Sequence, residues 1–588
     1  MNNASLELGG DNWAAKDGNL LGYAVGDSSG KYVPNEFTFT RGSNLSATRV
    51  NADGYIEKGY ENTLLGSNDW AQSDSQYEIT GGEVGYDGTN DAWLVNKLAA
   101  AYFGKGGVSI SSVATISIYA KAGSLDKLLV FFAGESARFD LTNVTAVKSG
   151  GGTIGQSIEL VSGTTDWYRC SLVINVTSSG NLLIKPLNSS NQDVTGTMYI
   201  QDAMINQGLA ALPYVESGAS AAKAGILENE PRIDYSSGTA SLLLEPSRTN
   251  LVPYSEYIDG LGLTDLTTTP NATTSPEGVQ NAYKMLTGTA GNEQISHQVT
   301  GTSGNNKTHS VYIKADSGVQ WIRLIQIRSG FSNSASIWFD IQNGVKGSKT
   351  GDGATSVVDD ATKIEDAGNG WYRLTLVCTD STNNTNFDTR VRTAIADGSL
   401  TRVSNGSYFV WGYQMESDAS YPTSYIPNHS GGTITRGADV ANDVSIPNTP
   451  SLWSCLVDVD FSKTPLVSNK TFFNTKTTSG AMSWRFFNRN GVHAVAPYFE
   501  TSASYAFGNN EDNNRTDGRV LLRYNGSGSY TYFRSYLGVV TQTTATGLTE
   551  TNLNQINFNG NDTKWASSQI LVFPTALSDA DCISLTTL

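Results

Sequence analysis

The segment Ile364-Glu365-Asp366-Ala367-Gly368-Asn369-Gly370-Trp371-Tyr372-Arg373-Leu374-Thr375-Leu376 decides how this chain reads. Asn369-Gly370 supplies the positive φ of a tight turn, and a period-two run opens at Trp371. Tyr372, Leu374, Leu376 and Cys378 fall on one face of that run. Trp371, Arg373 and Thr375 fall on the other. The pattern recurs earlier as Asp166-Trp167-Tyr168-Arg169-Cys170-Ser171-Leu172, where Tyr168, Cys170, Leu172, Ile174 and Val176 form the apolar row. The echo predicts that one β domain occurs twice.

Outward from this pair, the other landmarks repeat in one order. Ser117-Ile118-Tyr119-Ala120-Lys121-Ala122, Arg138-Phe139-Asp140-Leu141, the Trp167 strand and Met198-Tyr199-Ile200-Gln201 come first. Ser310-Val311-Tyr312-Ile313-Lys314-Ala315, Trp338-Phe339-Asp340-Ile341, the Trp371 strand and Tyr408-Phe409-Val410-Trp411 follow. So long a period means duplicated globular domains; solenoid repeats run to roughly 20 to 50 residues.

At 588 residues the chain is too long for one core, so three or four domains are expected. Sixty glycines, 16% charged residues and 10% aromatics suit many short strands joined by polar turns. The formal net charge of −16 repels phosphate backbones and anionic lipid, which argues against nucleic-acid and membrane partners. No apolar run approaches a bilayer span. Met1-Asn2-Asn3-Ala4-Ser5 does not read as a secretory signal, so the expectation is a protein that leaves its cell by another route or stays inside. Cys170, Cys378, Cys455 and Cys582 form no C-x-x-C pair. Cys170 and Cys378 lie on apolar rows and read as buried thiols, while a Cys455–Cys582 disulfide is conceivable because these two flank the last domain.

The leader contains short strand-like pieces, among them Leu20-Leu21-Gly22-Tyr23-Ala24 and Phe37-Thr38-Phe39-Thr40-Arg41. They are too small to bury a core alone, so they dock on something or remain extended. Ser46-Ala47-Thr48-Arg49-Val50-Asn51-Ala52-Asp53-Gly54-Tyr55-Ile56-Glu57 reads as a hairpin. The connector between the two β units carries Pro231-Arg232-Ile233-Asp234-Tyr235 and Leu242-Leu243-Leu244-Glu245-Pro246-Ser247-Arg248-Thr249-Asn250.

The leader, this connector and the Gly-Asn-Gly-Trp-Tyr-Arg domain resemble tail-fibre, head-fibre and adhesin-like proteins of tailed bacteriophages, whose tandem β-sandwiches are like carbohydrate-binding modules. In that family the stretch like Ala47–Glu57 runs almost directly into the stretch like Pro231–Tyr235. The separation here implies that the first β unit was inserted into a loop, with leader and connector meeting behind it. The close of the chain, Gln569-Ile570-Leu571-Val572-Phe573 through Ser578-Asp579-Ala580-Asp581, resembles the last strand and short helix of laminin-G-like, concanavalin-type sandwiches. Ser578 is the candidate helix cap.

The resulting expectation is an all-β chain of tandem jelly-roll β-sandwiches with an N-terminal extended attachment segment. Its parts are a leader (1–58), an inserted sandwich (59–216), a connector (217–249), a second sandwich (250–430), a linker (431–447) and a laminin-G-like sandwich (448–588). The resemblance implies a protein on the exterior of the virion, made in the bacterial host cytoplasm. It would contact other virion proteins of capsid or tail and bind host surface polysaccharide, with homotrimers the expectation.

Candidate chemistry is sparse. His297, His309, His429 and His493 show no metal-ligand spacing and read as surface residues, although His297 and His309 could share a sheet face. No G-x-S-x-G or H-E-x-x-H motif occurs. The acidic pairs Glu365-Asp366 and Asp359-Asp360 flank turns, although a glycosidase pair is defined only by spacing in three dimensions. Trp321, Trp338 and Asp340 are the carbohydrate-binding candidates. Trp338 shares its face with Asp340, and Arg138 holds its place in the first unit, so this Trp is not demanded by the fold. Against this stands ordinary sheet packing, with Asp140 and Asp340 satisfying turn amides. Trp167 and Trp371 read better as seals over the core, each with its neighbouring Arg stacked on it, than as sugar platforms. Calcium is the candidate ion, at Asp87-Gly88-Thr89-Asn90-Asp91 or Asn509-Asn510-Glu511-Asp512-Asn513-Asn514. Binding is the favoured function; a purely structural decoration is the alternative, and a polysaccharide depolymerase the second.

Overall fold

A computed structural model describes the chain apart from residues 1–3, 5, 10–12, 17–18, 26–31, 43–44, 301–305, 329–333, 382–384, 447–450, 461–469, 477–481, 489–494, 500–516, 537–538, 549–552, 561–563 and 588. Regular structure among the described residues is strand, apart from the 3-10 turn Ile258–Gly260 and the helix Asp579–Thr586. The chain is all-β, as its turn-rich and β-branched composition requires.

The first sandwich packs a seven-stranded sheet on a five-stranded one. The larger sheet runs Thr153–Leu160, Trp167–Asn175, Val113–Ala122, Gly196–Gln207, Ala92–Lys97, Tyr77–Glu83 and Gln72–Ser73. The smaller runs Phe103–Ile110, Ser178–Leu187, Lys127–Phe132, Glu135–Asp140 and Thr145–Ser149. The second sandwich repeats the order. Its larger sheet runs Thr355–Val357, Trp371–Asp380, Asn306–Ser317, Ser407–Ser417, Ala282–Thr287 and Leu266–Thr273, with Lys363–Asp366 also pairing on Trp371–Asp380. Its smaller sheet runs Gly262–Thr264, Gln294–Thr300, Asn386–Ala394, Trp321–Arg328, Ser334–Asp340 and Val345–Thr350.

The duplication extends to single hydrogen bonds. The Asn62 side chain binds the Leu64 amide and the Val215 carbonyl; that of Asn250 binds the Val252 amide and the Ile426 carbonyl. The hydroxyls of Ser67 and Tyr214 lie 2.7 Å apart, and so do those of Ser255 and Tyr425. Both long central strands face a bulge at the same place. There Asp202 has φ 48° and Gly412 has φ 64°. Gly adopts this conformation without strain, whereas Asp is among the few other residues that tolerate it.

The two ends of the first sandwich lie where an insertion would leave them. Tyr60–Asn62 pairs with Ala222–Ala224, so the two ends of the first sandwich leave side by side. Leader and connector meet behind them. The Val50 amide donates to the Asp234 carboxylate at 2.8 Å, and the Tyr235 amide to the Val50 carbonyl at 2.9 Å. Arg232 donates to the Thr48 carbonyl at 3.0 Å. Lys58 reaches into the second sandwich, 3.0 Å from Glu256 and 2.9 Å from Glu277. Burial alone would lower its pKa, but the two carboxylates raise it.

The leader is folded onto the rest of the chain and is not extended. Leu6–Gly9 pairs with Gln569–Phe573, and Asn19–Val25 with Tyr32–Thr40. Tyr32–Thr40 pairs in turn with Val440–Ser445, and the connector strand Ser241–Leu244 with Trp565–Ser567. Leader, connector and linker therefore complete the C-terminal sandwich. Leu6, Leu8, Leu20, Phe37 and Phe39 are buried in one core with Trp453, Val457 and Phe558. Burying these apolar side chains is what docks the leader. On the outer side the helix packs Cys582 and Leu585 against Leu456, Leu521 and Phe533. Ser578 caps this helix by accepting the Asp581 amide at 3.2 Å. All four cysteines are free and buried. The conceivable Cys455–Cys582 disulfide does not form, because the sheet separates Cys455 in the inner core from Cys582 on the helix.

A buried charge cluster joins these parts. Arg232 pairs with Glu245 (2.9 Å) and Asp439, Arg41 with Asp439 (3.2 Å), and Arg436 and Lys564 with Glu245 (2.7 and 3.1 Å).

Candidate functional site

The three sequence candidates fall on one surface, the outer face of the smaller sheet in the second sandwich. Strand alternation points Ile322, Leu324, Ile337 and Phe339 into the core, and sends Trp321, Arg323, Trp338 and Asp340 outward. Register then aligns them: Trp321 stands opposite Asp340, Arg323 opposite Trp338 and Arg392 opposite Arg323.

Trp338 is not an open platform. It is 1% exposed, its indole N–H donates to the Ser399 carbonyl at 2.8 Å, and the Arg323 guanidinium lies 4.6 Å from its ring centroid. The loop 395–402 roofs it, and only tertiary structure could reveal that. Asp340 serves its turn. It accepts the amides of Gln342 and Asn343 (both 3.0 Å) and the side-chain amides of Asn343 (2.8 Å) and Gln320 (2.7 Å). Burial works against its ionisation, but the bonds from Asn343 and Gln320 outweigh it and lower the pKa. Asp140 does the same for Thr142 and Asn143; the Asn143 and Lys127 bonds overcome burial and hold it at about 2. Trp321 is half-buried and remains the aromatic at the rim. Gly347 leaves room beside it, since a Cβ there would meet Asp397 Oδ1 at 2.2 Å and the Trp321 ring at 2.6 Å. Asp397 uses that room to accept the Ser348 amide and hydroxyl at 2.6 and 2.8 Å, which ties the roofing loop to the sheet edge. On either side of Asp397 the loop leaves Ile395 and Leu400 exposed, at 59% and 69%.

Four guanidiniums that the sequence reading passed over dominate this face. Arg392 donates through Nε and Nη2 to Gln294 Oε1 (3.1 and 2.7 Å), and Arg323 through Nε and Nη2 to the Ser336 hydroxyl (3.1 and 3.0 Å). Arg390 is held by Asp388 (Nε to Oδ2 2.7 Å), and Arg402 donates to the Glu293 carbonyl at 3.0 Å. Burial, then the charges of Arg402, Arg390 and Arg323, push Arg392 down to about 10 against the pull of Glu293. Alternating Arg-x-Arg at 390–392 was the available signal; the register that sets Arg323 beside it was not.

The equivalent face of the first sandwich is more apolar. Leu129 stands where Arg323 does, between Lys185 and Arg138. Tyr102 is 39% exposed, with Phe131 at 6.4 Å and the Lys185 ammonium at 3.8 Å.

The remaining described candidates are placed as follows. Trp167 and Trp371 are 3% and 1% exposed. The neighbouring arginines do not stack on them as expected: Arg169 lies over Tyr119 at 5.4 Å and Arg373 over Tyr312 at 5.6 Å. Two histidines read as surface residues are buried, His309 against Tyr413 (4.7 Å) and His429 beside Glu256 (3.6 Å). His297 is half-buried and sits in the other sheet from His309, so they share no face; His493 lies outside the described residues. Among the described residues, no group of three or more His, Cys, Asp or Glu side chains could hold a metal ion. Asp87 and Asp91 bind Thr89 and Gln201, and the loop 509–514 lies outside the described residues. The Asp366 carboxylate accepts the Gly368 amide at 2.8 Å, as a turn carboxylate does. With Glu365 it borders a cavity of about 380 Å³, where Arg49, Asp234 and Lys564 bring leader, connector and third domain together.

No family model and no curated protein matches the chain. Among solved structures it is similar to the N-terminal CBM22-1–CBM22-2 tandem domain of Xyn10C from Paenibacillus barcinonensis. That match has 10% identity and a TM-score of 0.19, and covers 64% of this chain and 98% of the other. A GH43 protein, BlXynB from Bacillus licheniformis, matches at 9% identity and a TM-score of 0.18 over 97% of this chain and 98% of its own. At such scores the likeness carries no argument about function.

Proposed function

We propose that the protein is a non-catalytic component of a tailed-phage virion that attaches to host-surface polysaccharide through the outer faces of its smaller sandwich sheets. The face carrying Trp321 and the four arginines is the observation on which this rests. A side chain set of aromatic rim, fixed guanidiniums and exposed Ile395 and Leu400 offers both hydrogen bonds and apolar contact to a sugar chain. The phage assignment draws support from leader and connector segments that resemble fibre proteins and fold together as that resemblance implies. Many copies, as in a trimeric fibre, would turn weak contacts into avidity.

The burial of Trp167, Trp338 and Trp371 favours a second reading, a decoration protein whose sandwiches are spacers. One experiment separates the two. The full chain is assayed for retention on immobilised bacterial surface polysaccharides, and the eluates for new reducing ends. Retention without reducing ends is expected. Silence across the panel would favour decoration, and new reducing ends would make the protein a depolymerase.

A further inference from the structure

The two sandwiches diverge at one row of the smaller sheet. Across equivalent strands the first carries Lys185, Leu129 and Arg138, and the second Arg392, Arg323 and Trp338. Register sets the backbones of Arg323 and Arg392 opposite each other, although Arg323 bonds to Ser336 on one neighbouring strand and Arg392 to Gln294 on the other. The like charges acting on Arg392 are those of Arg402, Arg390 and then Arg323.

The surrounding carboxylates offset this only in part, through the pull of Glu293 on Arg392. Asp388 is taken by Arg390. Glu293 is buried and accepts the Thr393 amide and hydroxyl at 3.1 and 2.7 Å. Asp340 is occupied by its turn. Among the described residues, Arg323, Arg392 and Arg402 have no carboxylate within salt-bridge distance, and Nη1 of both Arg323 and Arg392 has no protein partner. Their other nitrogens are pinned, so the guanidiniums are already oriented. This concentration of positive charge belongs to a chain of net charge −16 and so does not follow from its composition.

We infer that this cluster is an anion subsite, taking the carboxylate of a uronic acid or the phosphate of a phosphodiester-linked glycan. The inference rests on the polysaccharide-binding reading above and names its ligand class. Fixed, planar guanidiniums match carboxylate and phosphate oxygens bidentately, and an anion would relieve the repulsion that Arg402, Arg390 and Arg323 exert on Arg392.

Calorimetric titration of the full chain with polygalacturonate, poly(glycerol phosphate) and neutral xylan tests it. One of the two anionic polymers is expected to bind, which identifies the source of the anion. Its affinity should fall as salt is added, and fall roughly tenfold or more in R392Q and in R323Q, as loss of a charge-assisted hydrogen bond implies. Circular dichroism should show both variants folded; R323Q also loses the contact over Trp338 and two hydrogen bonds to Ser336, so R392Q is the cleaner variant. Xylan binding without anionic binding, or anionic binding undiminished in R392Q, would overturn the subsite and leave polysaccharide attachment standing. Absence of binding to all three polymers would overturn the subsite. A full chain that also fails on the wider polysaccharide panel would overturn the attachment reading itself.

Discussion

Trp371 shows how a repeated residue earns its place. Its indole N–H donates to the Thr274 carbonyl at 3.0 Å, and its ring packs with Tyr312, Trp411 and Tyr425 on the far side of the sheet from the main core. Trp371→Ala should cost about 3–5 kcal/mol in denaturant unfolding, the range for large aromatic truncations. His309 makes a second prediction. Burial brings its pKa from 6.5 to about 3, so below pH 6.5 the unfolded chain takes up a proton that the folded chain refuses. Stability therefore falls with falling pH through that window, by up to about 1.4 kcal/mol per unit. Glu245 adds a loss lower down. Burial would raise its pKa, but Arg436, Lys564 and Arg232 hold it well below 4.5, so its contribution is complete above that value and declines beneath it. Burial, with the Lys58 charge, pushes His429 down to about 3 as well. His309→Phe should therefore lessen the slope of the melting-temperature curve between pH 6.5 and 4.5 by roughly half, with His429 supplying the remainder, and leave the drop below pH 4.5.

At the scale of elements, the strand–turn unit Ser334–Asp340 and its twin Glu135–Asp140 are built alike. Phe339 and Phe139 plug the core at 0% exposure, and the following Asp closes the turn. Asp340→Ala should cost about 1–2 kcal/mol, because the turn amides lose their acceptor. Hydrogen exchange at Gln342 and Asn343 should rise in that variant, with Asp140→Ala doing the same at Thr142 and Asn143. The outer faces of the same strands have diverged freely. Exchange of Leu for Arg outside leaves the inner row untouched, since alternate side chains point to opposite faces.

Two deletions separate the roles of the modules in the whole molecule. Excising 63–221 and rejoining the chain with a short linker should leave the rest folded, because Asn62 and Ala222 are already paired. Circular dichroism should then show the rest still folded, and calorimetry a lowered transition for the second sandwich, whose core cluster loses Val113, Val173 and Leu209. Removing 1–40 should instead unfold the C-terminal sandwich, which loses one of two partners for Val440–Ser445 and for Gln569–Phe573, and five core side chains. For the same reason, fragments beginning at 250 lack part of that domain's core, and binding is properly measured on the full chain.

The amino-acid sequence by itself determined the strand content, the duplication, the core rows of both sandwiches and the turn role of Asp140 and Asp340. These depend on contacts within one strand and its adjoining turn, so period two and Asn-Gly signals report them directly. Tertiary structure alone decided where the leader docks, that Trp338 lies roofed and His309 buried, and that Arg323 meets Arg392. Each of these joins segments far apart in the chain, and its geometry follows from sheet register and loop closure, which no local pattern encodes.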